Sequence, residues 1–146
     1  MREDGIMTLI EFLLARIAED EAMARTVADG GSGQWQSWNR SWDPEPVRDI
    51  ATDGNRIASV PTTLDEFMCR HDPARVLAEC EAKRRIVEYA IEVADYEGAV
   101  ISLEFGSADL HAQPIAMAVK ETMDDVLELL ALPYADHPDY LPEWKP

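Results

Sequence analysis

An Asp-Gly dipeptide with alternating segments on both sides constrains the fold of this chain more than any other feature. Val47–Ala51 and Arg56–Val60 flank the turn sequence Asp53-Gly54-Asn55, and this arrangement is the strongest short-range signal for a β-hairpin. We therefore predict a hairpin over about residues 47–60, ended by Pro61. A lone hairpin is only marginally stable in water, so this one must pack on helices or gain another strand.

Three long segments with helical periodicity lie on either side of the predicted hairpin, at about residues 8–28, 73–96 and 114–132. Thr8 and Glu11 form a capping box at the start of the first segment. In the last segment the residues expected to point towards the core are Val119, Met123, Val126, Leu127 and Leu130.

The ends of the second helix are marked by residues that favour helix termini. Asp72 is the expected N-cap, Pro73 fits the first helical position, and Gly98 is the expected C-cap. Residues 99–105 contain β-branched residues with some alternation, which indicates a strand. The alternative is that these residues extend the preceding helix.

A second capping signature lies between the hairpin and the second long helix. Thr63 and Glu66 have capping-box spacing, which predicts a short helix carrying Leu64, Phe67 and Met68.

Length and composition indicate one globular domain over residues 1–146. The chain is 47% apolar and 29% charged, which is typical of globular proteins. Three glycines between Asp29 and Gln34 predict a flexible link at about residues 29–34. The tail from Pro133 holds four prolines and three aromatic residues, and we expect it to be ordered because its aromatics can pack on the body. The predicted fold class is therefore α+β, mostly helical.

The net charge is strongly negative and unevenly distributed. Acidic residues outnumber basic ones 29 to 13, a net of −16. Residues 86–146 hold thirteen acidic and two basic residues, while residues 1–85 hold sixteen and eleven. This balance argues against direct nucleic-acid binding and against a protein that lies on anionic lipid. It suits association with a basic partner.

A basic cluster interrupts this acidity on the second predicted helix. Five of the thirteen basic residues lie within sixteen positions, namely Arg70, Arg75, Lys83, Arg84 and Arg85. They have acidic neighbours four residues away, such as Glu79 for Arg75 and for Lys83, and Glu88 for Arg84, so ordinary helix-surface pairs are one interpretation. The other is a binding patch formed by Arg75, Lys83, Arg84 and Arg85.

Trp144 is the remaining binding candidate. Tryptophan is enriched at interface hot spots, but the tail aromatics Tyr134, Tyr140 and Trp144 can instead pin the tail to the body.

Cys69, His71 and Asp72 are weak candidates for a metal site or for Cys–His nucleophilic chemistry. Cys80, two turns into the next helix, is a further candidate for both roles, and His111 and His137 could complete a metal site only through tertiary folding. A structural zinc usually has paired ligand spacings, which this set lacks, and a nucleophilic cysteine needs a lowered pKa. We expect no metal, no cofactor and no catalytic residue. The two cysteines are expected to be reduced and buried.

Two longer motifs carry a family resemblance. His71-Asp72-Pro73-Ala74-Arg75-Val76-Leu77 continues through Glu81–Ile86, and Leu130–Tyr140 is followed by Glu143-Trp144-Lys145-Pro146. Together they resemble an uncharacterised family, a domain of unknown function, carried by actinobacteria and their bacteriophages. The resemblance implies a small cytosolic protein with no assigned activity. It also implies a cysteine-rich insert in many members, but residues 97–129 contain no cysteine, so a zinc role is not expected here.

These observations favour a non-enzymatic accessory protein, phage-encoded, that binds a host or phage protein. The alternatives are an acidic mimic of nucleic acid that inhibits a DNA-binding or defence protein, and a small metal-dependent or Cys/His hydrolase. Signal-peptide and membrane-span patterns are missing from the sequence, so we expect the bacterial cytosol and no membrane partner. Self-association is a further possibility, because the charge is polarised along the chain.

Overall fold

The computed structural model describes residues 7–39, 47–103 and 112–146. These residues divide into two compact units. The tail unit comprises residues 7–17, 82–103 and 112–146, and the sheet unit comprises residues 18–39 and 47–81. The α+β, mostly helical fold class is confirmed, because the described residues form four helices, three of them long, and a three-stranded antiparallel sheet. The single domain over residues 1–146 stays a prediction, as does a flexible link at residues 29–34.

The first helix, α1, spans Leu9–Ala28 and begins at the predicted capping box. Glu11 Oε2 accepts a hydrogen bond from the Thr8 backbone N–H at 2.8 Å, and the Glu11 N–H donates to Thr8 Oγ1 at 3.2 Å. The Thr8 backbone N–H also holds the pKa of Glu11 below its usual range. The helix ends where Asp29 and Gly30 adopt positive φ angles of 47° and 74°, the left-handed conformation typical of a helix C-terminus.

The predicted hairpin is confirmed, and it gains a third strand. Strands β2 (Val47–Thr52) and β3 (Asn55–Pro61) pair antiparallel. Asp53 and Gly54 between them have φ angles of 48° and 81°, as a type I′ turn requires. Strand β1 (Gln36–Asn39) pairs antiparallel with β2, so the sheet order is β1-β2-β3. Ile50, on the central strand, is fully buried.

The short helix α2 spans Asp65–Arg70, one residue later than a Thr63 cap would place it. The capping prediction is wrong, because the Leu64 N–H bonds to the Pro61 carbonyl at 2.8 Å and places Thr63 within a turn. Asp65 instead fastens α2 to the sheet. Its carboxylate accepts a hydrogen bond from the Ser37 hydroxyl and lies 3.6 Å from Arg48 Nε.

Helix α3 spans Pro73–Leu103 and is longer than predicted. The Asp72 cap is confirmed by a 2.9 Å hydrogen bond from the Arg75 N–H to Asp72 Oδ1. Gly98 lies inside the helix rather than at its end, and the strand predicted at 99–105 is wrong for residues 99–103, which continue the helix as the alternative proposed. Residues 104 and 105 lie outside the described residues. Strand propensity is a weak preference, which packing and a preceding helix readily override.

The last long helix, α4, spans Ala112–Ala131, close to the predicted 114–132. Ala116, Leu127 and Ala131 are buried within its described side chains. Val119 was expected to face the core but is 44% exposed. The helix gives way to a 3-10 turn at Leu132–Tyr134, because Pro133 cannot continue the α-helical hydrogen bonds.

The tail is ordered, as predicted, and packs around one phenylalanine of α1. Phe12 is fully buried. Four rings surround it at centroid distances of 5.0 to 6.3 Å, namely Tyr134, His137, Tyr140 and Trp144. Trp144 lies at the end of a second 3-10 turn, Pro142–Trp144, which positions its ring in this cluster. The aromatic residues of the tail therefore form part of the core of the tail unit.

None of the helices within the described ranges combines the length and the apolar character that a membrane crossing requires.

Candidate functional site

The predicted basic cluster falls in both units, and its members make different contacts. In the sheet unit, Arg75 Nε lies 2.7 Å from Glu79 Oε1, which confirms the predicted i,i+4 pair. In the tail unit, Lys83 Nζ lies 3.2 Å from Tyr134 Oη and 5.4 Å from the centre of that ring. Arg84 is half-buried and Arg85 is exposed. The contacts of Arg75 and Lys83 favour the structural interpretation for these two side chains.

Trp144 is only 7% exposed. The centroid of its ring lies 5.0 Å from that of Phe12 and 5.8 Å from that of Tyr140, and the Tyr140 ring is edge-on. This placement favours the interpretation that Trp144 pins the tail.

The metal and nucleophile candidates serve the local structure of the sheet unit. Asp72 caps α3 and also accepts the Trp35 N–H at 3.1 Å. The His71 ring lies 4.4 Å from the Phe67 ring, and Phe67, expected on the apolar side of α2, is 60% exposed. In the described ranges no three His, Cys, Asp or Glu side chains are grouped to hold a metal ion.

Cys69 lacks the electrostatic environment of a reactive thiol. Burial raises its pKa, and the nearby carboxylates of Asp65 and Asp72 raise it further. A nucleophilic cysteine needs the opposite shift. Cys80 is buried as expected, whereas Cys69 is only half-buried, so the expectation that both cysteines are buried is wrong for Cys69. His111 lies outside the described residues, and His137 lies in the tail unit, where its ring contacts Arg16.

An apolar groove in the tail unit is the best candidate for a functional site. It lies between α3 and α4 and has a volume of about 190 Å³. Its six lining residues are Glu92, Val93, Tyr96, Ile115, Ala116 and Val119. We call this feature the α3–α4 groove.

The groove exposes large apolar side chains on both of its walls. Tyr96 on α3 is 61% exposed, and Ile115 on α4 is 65% exposed. Val119, one turn after Ile115, is the residue wrongly expected in the core. Ala116 is buried at the floor, where its small side chain leaves space between the helices. The groove therefore offers apolar surface that the other described residues of the tail unit leave exposed.

The electrostatic surroundings of the groove are acidic. Residues 86–103 and 112–131, which form its two helical walls, contain eight acidic residues and one basic residue, Lys120. Lys120 Nζ lies 2.6 Å from Asp124 Oδ2. The hydrogen bond to Asp124 raises the pKa of Lys120, and the charges of Asp124 and Glu97 act in the same direction. Lys120, the basic residue of these two helical walls, is thus neutralised by neighbouring carboxylates.

Sequence reasoning missed this groove, although part of its signal was present. Ile115 and Val119 have i,i+4 spacing, which shows that they share a helix face. The same spacing is found in a core stripe, so periodicity alone cannot distinguish a covered face from an open one. Tyr96 was predicted at the C-terminal end of its helix. Because α3 continues to Leu103, Tyr96 lies within the helix and lines one wall of the groove.

The fold and the groove together define a small, mostly helical α+β protein with an apolar groove between two acidic helices. The chain belongs to a family of unknown function, DUF6221, which it matches over residues 6–146. This finding agrees with the resemblance to an uncharacterised domain family. Neither the curated proteins nor the solved structures contain a match to the chain.

Proposed function

We propose that this protein is a small accessory protein that acts by binding another protein and has no enzymatic activity. The observation that carries the proposal is the α3–α4 groove, where Tyr96, Ile115 and Val119 are exposed side by side. Clustered exposed apolar side chains with a polar rim are typical of protein–protein interaction sites.

The size of the groove favours a protein partner over a small molecule. Pockets for small ligands usually enclose about 300–1,000 Å³, and this groove offers about 190 Å³. That volume suits individual side chains of a partner, inserted along the line between two helices. Helix-in-groove recognition uses such side chains at i, i+3 and i+4 positions.

We further propose a bacterial cytosolic location and an actinobacterial or actinophage source, so that the partner is a host or phage protein. The resemblance carried by His71–Leu77 and Leu130–Tyr140 supports the source. The strong negative charge supports solubility and a basic partner.

A capture experiment with two matched variants tests the binding role. Ile115→Glu places a charge inside the groove. Met117→Glu places the same charge on the same helix, two residues away and roughly 200° around its axis, at a position 52% exposed. Tagged wild-type protein and both variants are incubated with an actinobacterial lysate, and the captured proteins are quantified by mass spectrometry.

We expect a protein that is retained by the wild type and by Met117→Glu but lost with Ile115→Glu. Circular dichroism of all three proteins checks that the helices are intact. Equal capture by Ile115→Glu and the wild type would contradict the proposed role of the groove.

A further inference from the structure

We infer that the α3–α4 groove receives an amphipathic helix whose apolar face is flanked by Lys and Arg residues. This inference rests on the proposed binding function and specifies its partner. It is carried by two independent properties of the groove, its apolar lining and the charge of its two helical walls.

The lining fits the apolar face of a helix. Ile115 and Val119 are one turn apart on α4, and Glu92 and Tyr96 are one turn apart on α3. Side chains one turn apart form a ridge along a helix, and a third helix packs by placing its own ridge between two such rows. An extended strand would leave its backbone groups against apolar side chains without hydrogen-bond partners.

The acidic charge of the two walls favours basic residues on either side of the apolar face of that helix. Glu92 lines the groove, and Glu88, one turn earlier on α3, continues the same row. On the opposite wall, Asp124 neutralises Lys120, and the field of Glu97 also reaches that lysine. A helix with Lys or Arg beside its apolar stripe would place cations next to Glu88 and Glu92, whereas acidic flanks would place like charges together.

The same charges argue against a second copy of the chain as the occupant. Two copies of this face brought together would oppose Glu88 and Glu92 to the acidic residues of the partner's helices. Juxtaposed like charges at an interface suppress association. The groove therefore favours a different, basic chain.

Three peptides of about 18 residues, long enough for about five helical turns, test this inference. One has a Leu/Ile stripe at helical spacing with Lys flanks, the second has the same stripe with Glu flanks, and the third scrambles the Lys peptide. Binding to the full-length chain is measured by fluorescence anisotropy at low and high salt. We expect the Lys-flanked peptide to bind at least about tenfold more tightly than the other two, and more weakly as salt screens the charges.

Groove variants then assign the binding to this site. Ile115→Glu should weaken the Lys-flanked peptide at least about tenfold, as for a hot-spot residue, whereas Met117→Glu should stay within about twofold. Glu92→Lys should weaken the Lys-flanked peptide and strengthen the Glu-flanked one. Should Ile115→Glu reduce the helical signal in circular dichroism, Val119→Gln provides a milder change on the same wall.

The possible outcomes separate this inference from the proposed function. Equal binding of the Lys-flanked and Glu-flanked peptides, both lost with Ile115→Glu, overturns the basic partner and leaves the groove as a binding site. Peptide binding that Ile115→Glu leaves intact but salt abolishes overturns the groove as the site and indicates an acidic decoy surface. A dimer in analytical ultracentrifugation that Ile115→Glu dissociates identifies a second copy as the occupant and overturns the inference.

Discussion

Replacing Trp144 with alanine should destabilise the protein severely, because this residue joins the tail to the core of the tail unit. Trp144 is 7% exposed and its ring contacts those of Phe12 and Tyr140. A tryptophan side chain buries about 150–250 Å², which at about 25 cal/mol per Å² corresponds to an upper bound of about 4–6 kcal/mol. Alanine retains only a small part of that area. The expected loss in the free energy of unfolding is therefore about 3–5 kcal/mol, the usual range for large-to-small core substitutions.

Urea unfolding followed by far-UV circular dichroism measures this loss, and Trp38 provides the control. Trp38 lies on strand β1 and is 57% exposed, so Trp38→Ala should change the free energy of unfolding by no more than about 0.5 kcal/mol. Trp144→Phe should lose less than Trp144→Ala, because it keeps a ring against Phe12. If Trp144→Ala and Trp38→Ala have the same small effect, the tail is not fastened by this ring and the reasoning is refuted.

Two further predictions concern titratable groups of the sheet unit. The hydrogen bond from Ser37 holds the pKa of Asp65 below its ordinary value. The Asp65 carboxylate therefore stabilises the folded state fully above about pH 4, the pKa of the unfolded state. This stabilisation is lost as the pH falls through the lower pKa of the folded state. Asp65→Asn should therefore lower the thermal midpoint at pH 7 but make that midpoint fall less as the pH is lowered. Asp136→Asn, at an exposed position, serves as the control. If the thermal midpoint of Asp65→Asn falls in acid as steeply as that of the wild type, the stabilising role of Asp65 is contradicted. Cys69, whose pKa is raised mainly by burial, should react with iodoacetamide at pH 8 more slowly in the native protein than in urea; a faster native reaction would revive the nucleophile hypothesis.

The parts of the fold that were predicted correctly depend on residues close together in the chain. The hairpin over residues 47–60 follows from the turn chemistry of Asp53 and Gly54 and from the alternating residues on both sides of the turn. Both determinants are local. The caps at Thr8 and Asp72 each involve a partner three residues away. Such contacts form as soon as the backbone adopts the helix or turn, so sequence spacing suffices to find them.

The errors arise where the outcome depends on distant residues. Strand β1 is four residues long and pairs with β2 through backbone hydrogen bonds. The pattern of its side chains does not predict this pairing. Residues 99–103 have β-branched side chains but follow a long helix, and the helix continues through them. The Thr63 cap fails because a turn from Pro61 precedes α2.

The sequence by itself determined the fold class, the ordered tail and the acidic character of residues 86–146. Only the tertiary structure decided which apolar residues are covered. Val119 and Leu127 belong to the same predicted helical stripe, yet Val119 is exposed in the α3–α4 groove and Leu127 is buried. Periodicity specifies the direction in which a side chain points from its own helix, while burial depends on whether a neighbouring element reaches that position. The proposed binding surface lies where the apolar stripe of α4 reaches a position that the other described residues leave exposed.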